Sequence, residues 1–256
     1  MGLKINFLGT GTSQGVPVLS CECEVCKSTD FKDKRFRTSL LVEYNDKSIV
    51  IDTGPDFRSQ MLRAKAKRLD AVLYTHAHKD HTAGLDDIRP FNFKQNIDMP
   101  IYAEERVLKT LKTEFSYAFA DIKYPGVPRL DIHPIDEQPF ILFGKQIVPI
   151  RAMHYKLPVL GFRIDDFTYI TDANYLSEKS IEKIKGSKVL VLNALRIEEH
   201  YSHFNLKEAL EVVQKSNVER AYFTHISHLL GTHASVQAKL PSNCHLAYDG
   251  QSLDFT

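Results

Sequence analysis

The chain has 256 residues, of which 43% are hydrophobic and 25% charged, and this is enough apolar material for a large core in one or two domains. Its 33 basic and 32 acidic side chains give a net charge of +1, which does not indicate a nucleic-acid-binding protein. No apolar run reaches membrane-spanning length and the N-terminal residues lack the layout of a signal peptide, so we expect a cytoplasmic protein with no membrane partner.

The N-terminal part of the chain carries a cysteine motif. Residues 4–9 form a predicted strand, and the glycine-rich stretch that follows, residues 9–15, lacks the features of a nucleotide-binding loop and reads as a turn. Cys21, Cys23 and Cys26 come next, in the pattern Cys-x-Cys-x-x-Cys. Thiolate sulfur favours zinc, and a structural zinc site needs four ligands. The motif therefore predicts a zinc-binding loop at about residues 20–27 with one ligand from elsewhere.

A predicted hairpin and a buried strand lead to the densest group of polar residues. Residues 39–44 and 47–52 alternate as a hairpin, which ends at Asp52, and a helix is expected over residues 57–66. The apolar residues 69–74 then suit a buried strand. Two roles are open for Asp52: to accept a hydrogen bond from a metal-binding histidine, or to cap a turn.

Three histidines and an aspartate follow that strand within six positions. Alternate residues of an extended chain point the same way, so His76 and His78 can converge on one metal ion. Asp80 and His81 lie beyond the turn and can face a second ion. His and Asp residues clustered at this spacing are typical of a metal site.

The next stretch is less regular. Asp86, Asp87 and Arg89 lie on a predicted helix that Pro90 ends or kinks, and Arg89 is expected to pair with Asp86. A strand is predicted at residues 100–103 and a helix at 104–112. Residues 113–140 are rich in aromatic residues, Pro and Gly, and either a lid or a dimer contact is compatible with them.

The second half repeats the pattern of strands that end in potential metal ligands. His154, Asp172 and His225 each follow or end a predicted strand, and ligands gather where several strands end at one edge of a sheet. This is the layout of a site for two metals. The predicted strands are residues 146–153, 159–164, 167–170, 189–193, 220–224, 245–247 and 252–255, the last two forming a closing hairpin, and the predicted helices are 178–185 and 206–215.

The order of these ligands resembles that of the metallo-β-lactamase superfamily. The resemblance covers nearly the whole chain and implies a single α/β domain over residues 1–256, an αββα four-layer sandwich of two mixed β-sheets. It implies one metal held by His76, His78 and His154, a second held by Asp80, His81 and His225, and Asp172 bridging the two, with a water or hydroxide between them.

A closer resemblance is to the phosphoribosyl 1,2-cyclic phosphodiesterases of phosphonate breakdown. It rests on the cysteine loop together with Thr224-His225-Ile226-Ser227-His228, and it implies that His228 completes the zinc site of the three cysteines. The implied cofactors are two catalytic divalent metals, Zn or Mn, and one structural Zn. The pyrroloquinoline quinone biosynthesis B proteins have a similar cysteine loop, so the substrate stays open. A homodimer is compatible with the resemblance.

The function implied is a metal-dependent phosphodiesterase that hydrolyses a small, cyclic or nucleotide-like phosphate ester. A hydroxide between two metals is nucleophilic near neutral pH. The candidate catalytic residues are Asp80 and His203, with His203 as the proton donor to the leaving group and His200 as its competitor. The Asn205–Glu208 capping box predicted for helix 206–215 places His203 near a helix N-terminus, which disfavours a protonated imidazole. His133, His233 and His245 are interpreted as structural or surface residues.

Four alternatives remain. A nuclease of the tRNA 3′-processing type needs a basic arm, and residues 113–140 contain only Lys123 and Arg129 as lysine or arginine. An oxygen-dependent enzyme of quinone-cofactor biosynthesis and a thioesterase or lactonase share the fold of this family. A non-enzymatic metal-binding scaffold would be expected to lack one or two of the ligands.

Overall fold

A computed structural model describes residues 2–120 and 124–255, and the chain divides into two compact units. Unit 1 comprises Met1–Gly9, Ser39–Asp136 and Gly250–Thr256, and unit 2 comprises Thr10–Thr38 and Glu137–Asp249. Lys123 lies outside the described residues. The strands are β1 (Leu3–Gly9), β2 (Ser39–Tyr44), β3 (Lys47–Ile51), β4 (Ala71–Leu73), β5 (Met99–Ala103), β6 (Leu130–Pro134), β7 (Phe140–Leu142), β8 (Lys145–His154), β9 (Leu157–Ile164), β10 (Phe167–Ile170), β11 (Val189–Asn193), β12 (Arg220–Thr224), β13 (Cys244–Leu246) and β14 (Ser252–Phe255). The helices are α1 (Glu24–Lys27), α2 (Phe57–Arg63), α3 (Lys79–Thr82), α4 (Arg89–Gln95), α5 (Glu105–Glu114), α6 (Ser116–Phe119), α7 (Glu178–Ile184), α8 (Leu206–Ser216) and α9 (His233–Gln237).

Unit 1 contains one mixed sheet of seven strands in the order β14-β1-β2-β3-β4-β5-β6. The predicted hairpin of β2 and β3 is confirmed, and its turn residues Asn45 and Asp46 have φ of 49° and 57°, as a two-residue hairpin turn requires. The strands from β3 to β6 are parallel. One face of this sheet packs against α5, where Val72 and Leu111 belong to the same buried cluster.

The parallel pairing of β3 and β4 decides where the polar residues of unit 1 lie. Both strands run in the same direction, so their carboxyl ends share one edge of the sheet. Asp52 follows β3, and the segment from Thr75 to His81 follows β4 shortly after its end. The sheet therefore brings Asp52 and the histidine cluster to one edge.

Unit 2 contains the second mixed sheet of seven strands, in the order β13-β12-β11-β10-β9-β8-β7. The strands β7 to β10 are antiparallel and β10 to β13 are parallel, so β8, β10 and β12 all run in one direction. His154, Asp172 and His225 lie at the carboxyl ends of these three strands. The sheet thus gathers them at one edge, as the sequence pattern predicts. Helices α7 and α8 contribute apolar side chains such as Ile184 and Val212 to the core of this unit.

Two local predictions are wrong. The C-terminal strands do not form a hairpin, because β13 pairs with β12 in unit 2 whereas β14 pairs with β1 in unit 1. Pro90 does not end or kink a helix: it lies in the first turn of α4, where the missing N–H of proline removes no helical hydrogen bond. The stretch of residues 113–140, for which no strand was predicted, contains the edge strand β6 and the start of β7. The predicted pair of Arg89 and Asp86 is confirmed, at 2.6 Å.

Candidate metal centres

Three residues at the strand ends have a strained backbone. Asp52, Asp172 and His225 have φ of 65°, 56° and 55°, in the left-handed region that residues other than glycine seldom adopt. Each such conformation costs on the order of 1–3 kcal/mol and persists where the surrounding structure fixes it. Strain of this kind at three strand ends indicates that the chain holds these side chains for a purpose other than packing.

The histidine cluster of unit 1 presents two pairs of donor atoms. Nε2 of His76 lies 3.0 Å from Nδ1 of His78, and Nε2 of His81 lies 3.2 Å from Oδ2 of Asp80. The other ring nitrogen of His76 lies 3.0 Å from Oγ1 of Thr75. Two nitrogens or a nitrogen and an oxygen at this separation match neighbouring ligands of one divalent ion. The pairing within unit 1 is the pairing that the sequence pattern predicts.

Asp52 fixes the orientation of this cluster. Its Oδ2 lies 2.7 Å from Nδ1 of His81, and it also accepts hydrogen bonds from the backbone N–H and the hydroxyl of Thr75, at 2.9 and 2.8 Å. Burial raises the pKa of Asp52, and the His81 and Thr75 contacts oppose that rise. Both roles left open by the sequence apply, since Asp52 holds a ligand-type histidine and also ties down the turn that carries it.

Gly84 allows the segment after the cluster to approach the chain beyond Asp52. The N–H of Gly84 donates to the carbonyl of Thr53 at 2.8 Å. A Cβ atom at Gly84 would lie 2.2 Å from the carbonyl oxygen of Gly54 and 2.8 Å from Cβ of Phe57. No side chain fits there without displacing the backbone.

Unit 2 orients its ligand-type residues in the same way. Nδ1 of His154 lies 2.7 Å from the carbonyl oxygen of Ser202, so this nitrogen carries the proton and Nε2 has the lone pair a metal needs. Oδ1 of Asp172 lies 3.2 Å from Nε2 of His225. The hydroxyl of Thr171 donates to the other carboxylate oxygen of Asp172 at 2.7 Å.

His203 lies among these residues. Its ring centroid is 4.5 Å from that of His154 and 4.7 Å from that of His225, and its Nδ1 is 3.8 Å from Oδ1 of Asp172. Burial, and then the neighbouring imidazole of His225, lower the pKa of His203 to about 2. His203 is therefore neutral in the substrate-free protein.

His203 has a second possible role, which the sequence pattern does not reveal. Its ligand atom, together with those of His154 and Asp172, forms a group in which all atoms lie within 4.8 Å of one another. A metal ligand and a proton donor are thus both compatible with its position. No spacing rule in the sequence singles out this group, because His203 lies in a loop without regular periodicity.

His200, the competitor of His203, lies at the margin of this group. Its ring centroid is 5.1 Å from that of His203. The backbone N–H of Ser202 donates to Nδ1 of His200 at 3.3 Å. Burial, and then the positive charge of Arg196, lower the pKa of His200. The structure separates the two histidines by burial, since His203 is buried and His200 is half-exposed.

The cysteine loop forms a separate group within unit 2. The sulfur atoms of Cys21, Cys23 and Cys26 lie 3.2, 3.3 and 3.6 Å from Nδ1 of His228. Donors bound at ordinary distances to a tetrahedral zinc ion lie roughly 3.4–3.8 Å apart. The four residues therefore fit a Cys₃His zinc site with shifts of a few tenths of an ångström. They are the residues that the family resemblance implies.

The thiols of this group differ in acidity. The backbone N–H of Cys26 and the imidazole of His228 lower the pKa of Cys23 to about 6, so this sulfur is a thiolate at neutral pH. Burial raises the pKa of Cys26 to about 11, although the N–H of Val18 donates to its sulfur at 3.3 Å. A bound cation would deprotonate the remaining thiols.

A buried arginine ties the chain after the cysteine loop to the rest of unit 2. Arg35 donates to Oγ1 of Thr10 at 2.8 Å and to the carbonyl of Ala247 at 2.6 Å, and burial lowers its pKa to about 10. Its guanidinium also lies 3.3 Å from Nδ1 of His233, and the backbone N–H of His233 donates to the carboxylate of Asp33 at 2.7 Å. Burial, and then Arg35, lower the pKa of His233 to about 4. No motif or spacing in the sequence predicts this network.

Comparison with known protein families shows to which family this chain belongs. The β-lactamase superfamily domain matches residues 47–226. The chain belongs to this superfamily. The predicted metallo-β-lactamase fold, an α/β fold with two mixed sheets, is confirmed by this match and by the solved structures below.

Relatives place the chain more closely within the superfamily. The crystal structure of a new diphosphatase from the PhnP family has a TM-score of 0.94 and 38% identity, over 100% of this chain and 98% of that one. Zn²⁺-bound PqqB from Methylobacterium extorquens has a TM-score of 0.80 and 18% identity, over 98% and 100% of the two chains, which shows the fold alone. This member of the β-lactamase superfamily is therefore close to the PhnP family, and the predicted resemblance to the metallo-β-lactamase superfamily is confirmed.

A curated relative from Porphyromonas gingivalis (strain ATCC BAA-308 / W83) is named octanoyltransferase. It is 39% identical over 251 residues, which are 97% of this chain and 51% of the relative. The β-lactamase superfamily chain thus spans about half the length of that protein. Among residues 2–120 and 124–255, no helix is long and apolar enough to cross a membrane.

Proposed function

We propose that this protein is a metal-dependent phosphodiesterase that hydrolyses a small phosphate ester. The observation that carries the proposal is the 38% identity, over the whole chain, with a protein described as a diphosphatase. Diphosphates and phosphodiesters are cleaved by the same kind of displacement at phosphorus. Ligand-type histidines oriented by Asp52 in unit 1 and by the carbonyl of Ser202 in unit 2 support the proposal, because this chemistry needs bound metals.

The proposal keeps the ligand set that the family implies. When bound, two divalent metals supply an activated water as nucleophile and neutralise the charge on the phosphate oxygens. The donor atoms belong to imidazole and carboxylate groups, which bind Zn²⁺ or Mn²⁺. Which of the two metals is bound then depends on which is available in the cell. The first metal would be held by His76, His78 and His154, and the second by Asp80, His81 and His225, with Asp172 shared.

The residues of the chain have distinct tasks in this proposal. Asp52 and the carbonyl of Ser202 hold the His81 and His154 imidazoles in the tautomers that leave Nε2 as the ligand atom. His203 gives a proton to the leaving oxygen. Because its pKa is about 2 without substrate, it can take up that proton only when a phosphate anion lies beside it and raises the pKa.

A small substrate is favoured over RNA. Residues 113–140 carry Arg129 and Lys123 as their basic residues, and Lys123 lies outside the described residues. Arg129 is already engaged by Asp98, at 3.0 Å, and by the carbonyl oxygens of Asn92 and Ile97. An arm that binds the RNA backbone needs several exposed cations that can contact phosphates.

The test is hydrolysis by the purified protein loaded with Mn²⁺ or Zn²⁺. We expect cleavage of bis-p-nitrophenyl phosphate and of a ribose cyclic phosphate, and its loss in His76→Ala. His133→Ala is the matched control, because that imidazole pairs with Asp131 at 2.7 Å outside the ligand set. A metal-loaded protein that cleaves thioesters or lactones but neither phosphodiester would contradict the proposal.

A further inference from the structure

Two exposed tyrosines of unit 2 are held against each other. The rings of Tyr155 and Tyr201 meet edge to face, with centroids 5.7 Å apart and an angle of 90° between their planes. Their exposed fractions are 55% and 72%. A single exposed aromatic residue needs no explanation, but a pair that is fixed in contact and left open to solvent is a typical binding surface.

The backbone around Tyr155 is built for this position. Tyr155 and Lys156 form the two-residue turn between β8 and β9, and Tyr155 has φ of 56°. Such turns favour Asn, Asp or Gly, because a bulky side chain is disfavoured in the left-handed region. A tyrosine here places an aromatic ring directly after His154, although the backbone conformation by itself favours a smaller residue.

One half-buried amide connects the two tyrosines. The side chain of Asn174 accepts a hydrogen bond from the N–H of Tyr155 at 2.8 Å and donates to the carbonyl of Tyr201 at 3.0 Å. The loop that carries Tyr201 and the turn that carries Tyr155 are therefore fixed relative to each other within unit 2.

The aromatic surface continues to the proposed proton donor. The ring of His200 stacks on Tyr201, with centroids 4.6 Å apart and an angle of 28°. The ring centroid of His200 lies 5.1 Å from that of His203, and the centroid of His203 lies 4.5 Å from that of His154. A group seated on the tyrosines would lie beside the residues that act on the phosphate.

We propose that Tyr155, Tyr201 and His200 form a stacking platform for an aromatic ring of the substrate, so that the substrate is a nucleoside phosphate ester. The inference rests on the proposed phosphodiesterase function and names its substrate class. Nucleobases stack on tyrosine and histidine rings regardless of base identity. Nζ of Lys156 lies over one face of the Tyr155 ring, 5.3 Å from its centroid, and adds a positive charge for the anionic substrate.

The test compares two substrates with the same scissile ester. Adenosine 2′,3′-cyclic phosphate carries a base, and the 2′,3′-cyclic phosphate of methyl ribofuranoside does not. We expect the metal-loaded protein to prefer the adenosine compound at least tenfold in kcat/KM. Tyr201→Ala should lower that preference about tenfold, mainly by raising KM for the adenosine compound, whereas Tyr201→Phe should keep it because the ring remains.

The control is Phe93→Ala, which removes another exposed aromatic ring, 59% exposed on α4 of unit 1, and should leave the preference intact. Equal kcat/KM for the two substrates in the wild-type protein would overturn the platform. So would a Tyr201→Ala variant that loses activity toward both substrates equally.

A binding experiment separates failure of the platform from failure of the proposed function. If neither ester is cleaved, calorimetry of the metal-loaded protein with AMP and with ribose 5-phosphate decides the matter. Tighter binding of AMP by about tenfold, lost in Tyr201→Ala, supports the platform without phosphodiesterase activity. Equal affinities overturn it, as does a dimer in sedimentation that dissociates in Tyr201→Ala, because the tyrosines would then be a subunit contact.

Discussion

The carboxylate of Asp52 lies 2.7 Å from Nδ1 of His81, and both side chains are almost completely buried. Asp52 also accepts two hydrogen bonds from Thr75, so each of its oxygens has a defined partner. The contact fixes which nitrogen of His81 carries the proton, and with it which nitrogen faces Asp80. The buried carboxylate of Asp52 thus orients the pair of ligand-type side chains His81 and Asp80 without being a ligand-type member of that pair.

Asp52→Asn should weaken metal binding about 10- to 100-fold while the protein stays folded. If the asparagine oxygen accepts from the N–H of Thr75, its NH₂ group faces Nδ1 of His81 and forces the proton onto Nε2. That tautomer cannot bind a metal through Nε2. The measurement is the dissociation constant for Zn²⁺ or Mn²⁺ by competition with a chromogenic chelator.

The matched control for this prediction is Asp87→Asn. Asp87 lies after the cluster in a short 3₁₀ turn, Leu85–Ile88, and is half-exposed, so its substitution should leave metal affinity within twofold. Asp52→Asn with wild-type affinity would mean that His81 is oriented by other contacts.

Gly84→Ala should destabilise the protein by about 1–3 kcal/mol, because the new methyl group overlaps backbone that cannot move aside. Its Cβ would lie 2.2 Å from the carbonyl oxygen of Gly54. The measurement is the free energy of unfolding in urea. Ala83→Ser adds one atom at the exposed neighbouring position and should change that free energy by less than about 0.5 kcal/mol. A similarly small change in Gly84→Ala would show that the close approach is not required.

Much of this fold follows from local patterns in the sequence. The apolar runs predict β11 and β12 with their observed bounds, because both strands are buried on both faces and leave a continuous signal. The Asn205–Glu208 capping box is present at the start of α8 as predicted. The ligand-type residues at strand ends can also be predicted from the sequence, because a polar residue directly after a buried strand interrupts the run of apolar residues.

The errors arise where the answer depends on distant parts of the chain. β13 and β14 are both short strands, and the segment between them contains Asp249-Gly250, which is typical of a hairpin turn. Each strand nevertheless pairs with a strand of a different sheet. Edge strand β6 alternates only between half-buried and exposed residues, so its periodicity is weak. The contacts of Arg35 with Thr10 and Ala247 join residues 25 and 212 positions apart, and no short-range pattern reports them.

The stability of the protein should depend on His233 between about pH 4 and pH 6.5. Its pKa is lowered to about 4 in the folded state, against an ordinary value near 6.5 in the unfolded chain. In this window the unfolded state binds the additional proton, so the free energy of unfolding falls as the pH falls from 6.5 towards 4. Above pH 6.5 His233 is neutral in both the folded and the unfolded state, so this loss of stability is absent there.

The measurement is the free energy of unfolding at pH 4.5 and 7 for the wild-type protein and for His233→Asn. We expect the wild-type protein to lose on the order of 2 kcal/mol more than the variant over this range. The difference between the two proteins removes the contribution of other titrating groups. Parallel pH profiles would show that His233 does not carry the effect.

His228→Ala should remove one metal per chain and lower the melting temperature more than it lowers kcat. The imidazole is the fourth member of the Cys₃His group, and a structural zinc contributes directly to folding free energy. Elemental analysis and thermal unfolding are the measurements. Cys244→Ser changes a buried cysteine outside the group and should keep the full metal content. A loss of activity that exceeds the loss of stability would assign His228 to catalysis.

His203→Ala distinguishes the two roles that the structure allows for this residue. A proton donor matters most when the leaving group is a poor one, so the variant should lose about 100-fold or more in kcat on an alkyl phosphodiester and much less on bis-p-nitrophenyl phosphate. Its metal content should equal that of the wild-type protein. If His203 is instead a ligand with His154 and Asp172, metal content falls and both esters lose activity together. His200→Ala serves as the comparison, because His200 is outside that group and the half-exposed ring should cause a smaller loss on the alkyl ester.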